Sequence, residues 1–238
     1  MTDLETISIT CPTRGRAAKL PLFHELAVAT CDQPENLEIV YACDDDDMES
    51  VEVVSGLRGC KVTLLTQERK YGVPKWQDCG MAASGDILMF CGDDIHFRTK
   101  GWDNRVREAF EAWGDRLGLV CINDAYWEGS LATNIFIHRK WRDALGWFAP
   151  KGLIHNFIDC WLDDIAKMLP EGRRVYLGDV MAEHMHFTRG KSENDDTYKI
   201  QEPWKAADKA FFASHRAKRL ESVDVLFDAI NAYEAEAE

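Results

Sequence analysis

The chain has no cysteine pair spaced C-x-x-C, no apolar run near the roughly 20 residues that span a bilayer, no basic excess and no complete glycine-rich nucleotide loop. Each absence removes a class of function. Eight cysteines, at 11, 31, 43, 60, 79, 91, 121 and 160, show no zinc-ligand spacing, and several sit inside apolar runs. Buried, reduced thiols are expected, in a reducing compartment. Where a signal peptide would carry basic charge the chain has Thr2-Asp3-Leu4-Glu5, so a cytoplasmic protein without a membrane span is expected. A net charge of −13 disfavours a broad nucleic-acid footprint, which needs clustered Lys and Arg.

What is present is a globular composition, 46% hydrophobic against 29% charged, enough for one substantial core in a single domain of 238 residues. Ile7 to Cys11 alternates like a strand and breaks at Pro12-Thr13-Arg14-Gly15-Arg16, after which Ala17 to Thr30 carries helical spacing. The unit repeats: strands are predicted over Leu37 to Cys43, Lys61 to Leu65 and Ile87 to Cys91, with helices over Met48 to Ser55 and Val73 to Ala83. Such alternation implies right-handed crossovers and a mainly parallel sheet. Farther on, helices are predicted from Gly101-Trp102-Asp103 to Trp113 and over Phe157 to Leu169, with strands over Leu117 to Ile122, Ala132 to His138 and Arg173 to Leu177. Two amphipathic helices, Trp204 to Leu220 and Val223 to Tyr233, close the chain.

Four clusters carry possible chemistry. Gly85 to Asp94 is an apolar strand, buried on both faces, that runs into the adjacent carboxylates Asp93 and Asp94. They fall at the carboxyl end of the sheet, where open α/β sheets bind ligands. Two charges so close repel unless a cation joins them, so either a divalent metal carrying a phosphorylated substrate sits there or the acids cap the next turn. The loop Pro12 to Arg16 suits close approach to a nucleotide and neutralisation of a diphosphate. Asp44 to Asp47 offers a carboxylate for a base N–H or ribose hydroxyls, or an N-cap for the next helix. In Glu183 to Lys191, His184 and His186 face one way if the segment is extended; imidazole with carboxylate suits manganese or magnesium, and Lys191 reaches toward phosphate.

Asp159 and Asp163 share a helix face, and Asp159 is flanked by apolar residues as a raised-pKa base requires, or is a first-turn acid favoured by the helix dipole. Trp127, Trp141, Trp147 and Trp161 form either a sugar wall or core, core being the better reading of each. Arg139-Lys140-Trp141-Arg142 and His215 to Arg219 read as solvated helix faces ahead of phosphate contacts.

In order, Pro12 to Arg16, Asp44-Asp45, Gly85 to Asp94, Gly101-Trp102-Asp103 and His186 to Lys191 resemble the GT-A fold glycosyltransferases, nucleotide-sugar transferases that include small bacteriophage-encoded members, over about residues 6–200. The resemblance implies a Rossmann-like α/β fold with a mainly parallel mixed central sheet flanked by helices, plus C-terminal helices. It divides the domain into a nucleotide-binding half (1–95), an acceptor half (96–200) and the helices of 201–238. By it, Thr13 and Asp44 hold the nucleobase, with Pro12, Arg14 and Asp45 in the same loops. Arg16 and Lys191 face the diphosphate, Asp93 touches the ribose, and Asp94 ligates Mn2+ or Mg2+ with His186 or, second, His184. Asp124 orients the donor sugar, and Asp159 is the general base of an inverting transfer from a UDP-sugar to a glycan, protein or hydroxymethylated DNA base. The chain departs from the usual D-x-D in having Gly92 at the first acid. Two rivals remain: a nucleotidyltransferase, for which the Gly-rich loop with its Lys is missing, and a non-catalytic carbohydrate-binding or virion accessory protein.

Overall fold

The computed structural model describes residues 4–201 and 203–237. Its first half alternates β1 (Ile7–Pro12), α1 (Leu20–Ala29), β2 (Leu37–Asp44), α2 (Met48–Gly56), β3 (Lys61–Gln67), α3 (Gly72–Ala82) and β4 (Ile87–Phe90). There follow β5 (Ile95–Phe97), α4 (Trp102–Glu111), β6 (Leu119–Asn123), β7 (Ile135–His138), α5 (Arg139–Leu145), α6 (Ile158–Met168), β8 (Arg174–His184), α7 (Asp196–Gln201), α8 (Trp204–Ser214) and α9 (Arg216–Ala237). The sheet order is β3-β2-β1-β4-β7-β6-β8-β5. β1 to β4 run parallel, β7 pairs antiparallel with both β4 and β6, and β8 lies parallel to β6.

The central strands β1, β2, β4, β6 and β7 are buried on both faces because they are apolar at successive positions, while β3 and β8 are partly exposed. Ile87 and Met89 point into a core shared with α1, α2 and α4, while Leu88 and Phe90 point into a second one under α3, α5, α6 and α9. Phe90 stacks on Phe148 with ring centroids 3.8 Å apart, and a Cβ at Gly80 would fall 2.0 Å from that Phe148 ring. The backbones of α3 and the 148 segment therefore close together. No helix among the described residues is long and apolar enough to cross a membrane.

β8 is the element that most shapes the site. Its first part, Arg174 to Leu177, pairs parallel with β6, a register irregularity follows opposite Ile122 and Asn123, and its last part pairs antiparallel with β5. An irregularity of this kind bends a strand and re-aims its side chains. Here it lets one strand serve two partners and sets His184 opposite Ile95, next to Asp94.

Local pattern foretold the first half closely and the second half partly. β5, α7 and the distal half of β8 were not anticipated, each being short or dependent on a distant partner, while α5 was read only as the helix face Arg139 to Arg142. The closing helices break at His215, not after Leu220. That break lets α8 turn Phe211 and Phe212 inward while α9 aims Val223, Leu226 and Ile230 at α5 and α6. Of the basic segments, Arg219 is buried under Phe212 and Trp161 and paired with Asp164 at 2.6 Å, so it is a structural cation. Trp141 and Trp161 are core, and Trp127 is exposed.

Candidate active site

A cleft of about 800 Å³ opens at the carboxyl ends of β1, β3 and β4. Its walls are the loops after those strands, the β6–β7 loop, the chain entering α6, the end of β8, and Tyr198, Ile200, Trp204 and Lys205.

Asp93 and Asp94 form the floor, both nearly inaccessible. Thr13 Oγ1 donates to Asp93 Oδ2 at 2.7 Å and Arg16 Nη1 to Asp93 Oδ1 at 2.7 Å. On Asp94, His184 Nε2 lies 3.5 Å from Oδ1, while the Tyr198 hydroxyl donates to Oδ2 at 2.5 Å and Arg16 Nη1 stands 3.5 Å from the same oxygen. Burial pushes the Asp93 carboxyl up despite Arg16, and the charge of Asp94 adds to the rise. Burial would raise Asp94 as well, but His184, Arg16 and Tyr198 together hold it well below the usual carboxylate range. The pair thus divides its roles: Asp94 keeps the negative charge that a cation needs.

Gly92 has a steric cause. A Cβ there would lie 2.7 Å from Asp94 Oδ1, crowding the oxygen that faces His184. The ladder delivers His184 through its pairing with Ile95 and through Met185 N donating to Asp94 O at 2.8 Å. His186 also lines the cleft, but its Nδ1 is engaged by Thr188 Oγ1 at 2.9 Å, where it caps a short 3-10 turn.

On the nucleotide side, Asp44 is fully buried and does not line the cleft. Its Oδ1 takes Lys75 Nζ at 2.6 Å and its Oδ2 takes Arg14 Nη1 at 2.9 Å. Both oxygens are thus engaged by cations that do line the cleft. Arg14 is also clamped by Asp46, and Asp47 caps α2 as the N-cap alternative anticipated. Asp45 is exposed outside the cleft, and Pro12, Thr13, Arg14 and Arg16 line it.

Across the cleft, Asp159 sits in the first turn of α6, entered through Phe157 in the left-handed region at φ 66°. A bulky residue there is strained, and such strain gathers at functional sites. Burial raises the Asp159 carboxyl, against a hydrogen bond from Cys160 N at 2.8 Å. Its helix mate Asp163 faces away, paired with Arg174 at 2.5 Å and Lys167 at 2.7 Å.

Two other anticipated residues stand outside the cleft. Lys191 pairs with Glu183 at 2.8 Å, drawn to the β5–β8 edge. Asp124 instead shapes the β6–β7 loop, its Oδ1 accepting from Tyr126 N at 2.9 Å and Trp127 N at 2.8 Å, so that both rings reach the cleft wall. Its Oδ2 is buried with no hydrogen-bond partner among the described residues.

Sequence reasoning missed Lys75, Trp76, Tyr71, His155, Tyr198 and Trp204, all of which line the cleft. Their meeting depends on a tertiary contact: a Cβ at Gly72, the first residue of α3, would lie 2.9 Å from the His155 Cα, an approach that only glycine permits.

No protein-family model and no curated protein matches the chain. Solved structures do. Residues 1–349 of TarS from S. aureus match over 75% of this chain and 60% of that one, at 15% identity and a TM-score of 0.56. The same fragment in complex with UDP-GlcNAc matches over 82% and 64%, at 14% identity and a TM-score of 0.53. The mannosyltransferase PcManGT from Pyrobaculum calidifontis, in complex with GDP-Man and Mn2+, matches over 98% and 76%, at 16% identity and a TM-score of 0.58. The chain thus spans about 60% of the TarS fragment's length. Identities this low speak for the fold, and the fold is of the GT-A glycosyltransferase type.

Proposed function

We propose that the cleft binds a nucleoside diphosphate sugar together with a divalent metal and transfers the sugar to an acceptor hydroxyl with inversion. The observation that carries this reading is the meeting of Asp94 and His184 at the floor of a GT-A-type cleft, 3.5 Å apart. That spacing is long for a hydrogen bond and joins an oxygen donor to a nitrogen donor, a set suited to Mn2+ or Mg2+. No group of three protein ligands occurs among the described residues. Two protein donors fit an ion completed by phosphate oxygens and water, the usual arrangement for metal-bound nucleotides. The donor class is supported by TarS in complex with UDP and with UDP-GlcNAc and by PcManGT in complex with GDP-Man and Mn2+.

Bound by Asp94 and His184, the metal would supply Lewis-acid stabilisation of the leaving diphosphate. The chain's own residues do the rest. Pro12, Thr13 and Arg14 with the Arg69–Tyr71 segment hold the base and ribose, Asp44 fixing Arg14 and Lys75 in place. Asp93 orients Arg16 and Thr13. Asp159, across the cleft, takes the proton of the acceptor hydroxyl as that oxygen attacks the anomeric carbon, a contribution of about 100-fold to 10,000-fold. Tyr126 and Trp127, on the turn Asp124 builds, offer faces against which a pyranose ring packs.

The test is a screen of UDP- and GDP-sugars with Mn2+, with Mg2+ and in EDTA, following the released nucleotide. Metal-dependent release of nucleoside diphosphate supports transfer. Release of pyrophosphate from a nucleoside triphosphate and a sugar phosphate would make the protein a nucleotidyltransferase, and sugar binding without turnover a binding protein.

A further inference from the structure

The segment after β8 crosses the cleft and holds it at several loops. Arg189 lies over the Tyr126 ring at 3.9 Å, and Trp204 meets Tyr71 with centroids 4.3 Å apart. Between them, Asp195 takes both the Nε and Nη2 of Arg16 at 3.0 Å and Lys19 Nζ at 2.8 Å. Tyr198, three residues on, places its ring under the Arg16 guanidinium at 4.5 Å and its hydroxyl on Asp94.

The chemistry of these contacts is that of a ligand. The Nε–Nη2 edge of arginine, with an ammonium beside it, is the fork on which phosphates bind bidentately, and Asp195 fills it with a carboxylate. Arg16 and Lys19 share one turn, Lys19 N donating to Arg16 O at 2.8 Å, so both cations address the same anion. A diphosphate cannot share that fork with a carboxylate, because like charges a few ångströms apart on one guanidinium at the rim of the cleft repel.

We propose that residues 192–201 form an autoinhibitory strap, with Asp195 occupying a phosphate site made by Arg16 and Lys19 and Tyr198 occupying Asp94, and that a nucleoside diphosphate opens the cleft by displacing them. This rests on the donor reading above. It adds Lys19 as a phosphate-binding residue, and it makes the strap a gate whose closed form is held by charge. Gly190, at φ 67°, and Lys191, anchored on Glu183, mark its fixed end.

The experiment measures UDP and GDP affinity with Mn2+ by calorimetry, and amide exchange across 192–201 with and without nucleotide. Wild type is compared with Asp195→Asn, Asp195→Glu and Tyr198→Phe. Expected are about tenfold tighter nucleotide binding by Asp195→Asn, faster exchange of the strap in Asp195→Asn and in Tyr198→Phe without ligand, wild-type behaviour of Asp195→Glu, and nucleotide-induced acceleration of exchange in wild type. Unchanged or weaker binding by Asp195→Asn, or nucleotide that slows strap exchange, overturns the strap and leaves the donor reading standing, with Asp195 then part of a closed donor site. A blank for wild type and variants alike with UDP, GDP and inorganic pyrophosphate removes the donor reading and the strap with it.

Discussion

His184 Nε2 lies 3.5 Å from Asp94 Oδ1, although the two residues are far apart in the chain, because β8 bends away from β6 to pair with β5, the strand that follows Asp94. On the function proposed above, this imidazole and carboxylate would be the protein's share of a cation site.

Asp94→Asn and His184→Ala should each lower metal-dependent kcat/KM by about 100-fold or more, since each removes a ligand of the leaving-group stabiliser. His186→Ala should cost less, because Thr188 already engages its Nδ1. Donor turnover against Mn2+ concentration checks both. Equal losses for the two histidines would place the ion elsewhere.

Asp159→Asn should lower kcat by about 100-fold to 10,000-fold with donor affinity unchanged. Burial raises this carboxyl, so the acid limb of the kcat/KM profile should fall at a pH above the ordinary aspartate value of 3.8. The sign for stability is opposite. A raised carboxyl favours the folded state at low pH, and the advantage is lost as pH rises through the folded value, so at neutral pH the ionised group is a cost. Asp159→Asn should therefore raise Tm at pH 7 while lowering kcat, which calorimetry and a turnover assay measure together.

Lys75→Ala should destabilise the fold by about 3–5 kcal/mol, because it strips a buried carboxylate of a partner at 2.6 Å. Pairing it with Asp44→Asn should recover part of the loss. Urea unfolding of the two single variants and the double variant gives the coupling, and strictly additive losses would show that the pair is not coupled.

Glu38 governs acid stability at the opposite end of the sheet. Burial would raise it, but hydrogen bonds from Ser8, Lys61, Ser84 and Thr63 bring it from 4.5 to about 2. A lowered carboxyl contributes stability that is whole above the unfolded value of 4.5 and lost as pH falls toward about 2, here ~3 kcal/mol in all. Glu38→Gln should cost most at pH 7 and progressively less toward pH 2. A difference that stays constant across that range would put the effect in packing.

Some of the site was legible because it is local. The apolar run Ile87 to Phe90 followed by Asp93-Asp94 needs only the rule that a buried strand ends at a sheet edge, and Asp159 needs only helical spacing. Asp44 was legible as an acid at a strand end but not in its partners. Lys75 lies a full helix-entry away on α3, and nothing in an isolated segment says that it will satisfy that acid. Lys191 stands outside the cleft for a similar reason: Glu183, brought beside it by the end of β8, pairs with its ammonium.

The amino-acid order alone settled the alternation of strand and helix, the doubly buried sheet and the acids at its carboxyl edge, since side-chain period and apolar content act within a few residues. Which imidazole meets Asp94, what neutralises Asp44, and the docking of Asp195 on Arg16 and of Tyr198 on Asp94 were decided by tertiary structure. Those outcomes depend on strand register and on one irregularity in β8, and a single-residue slip there would turn His184 away from the cleft.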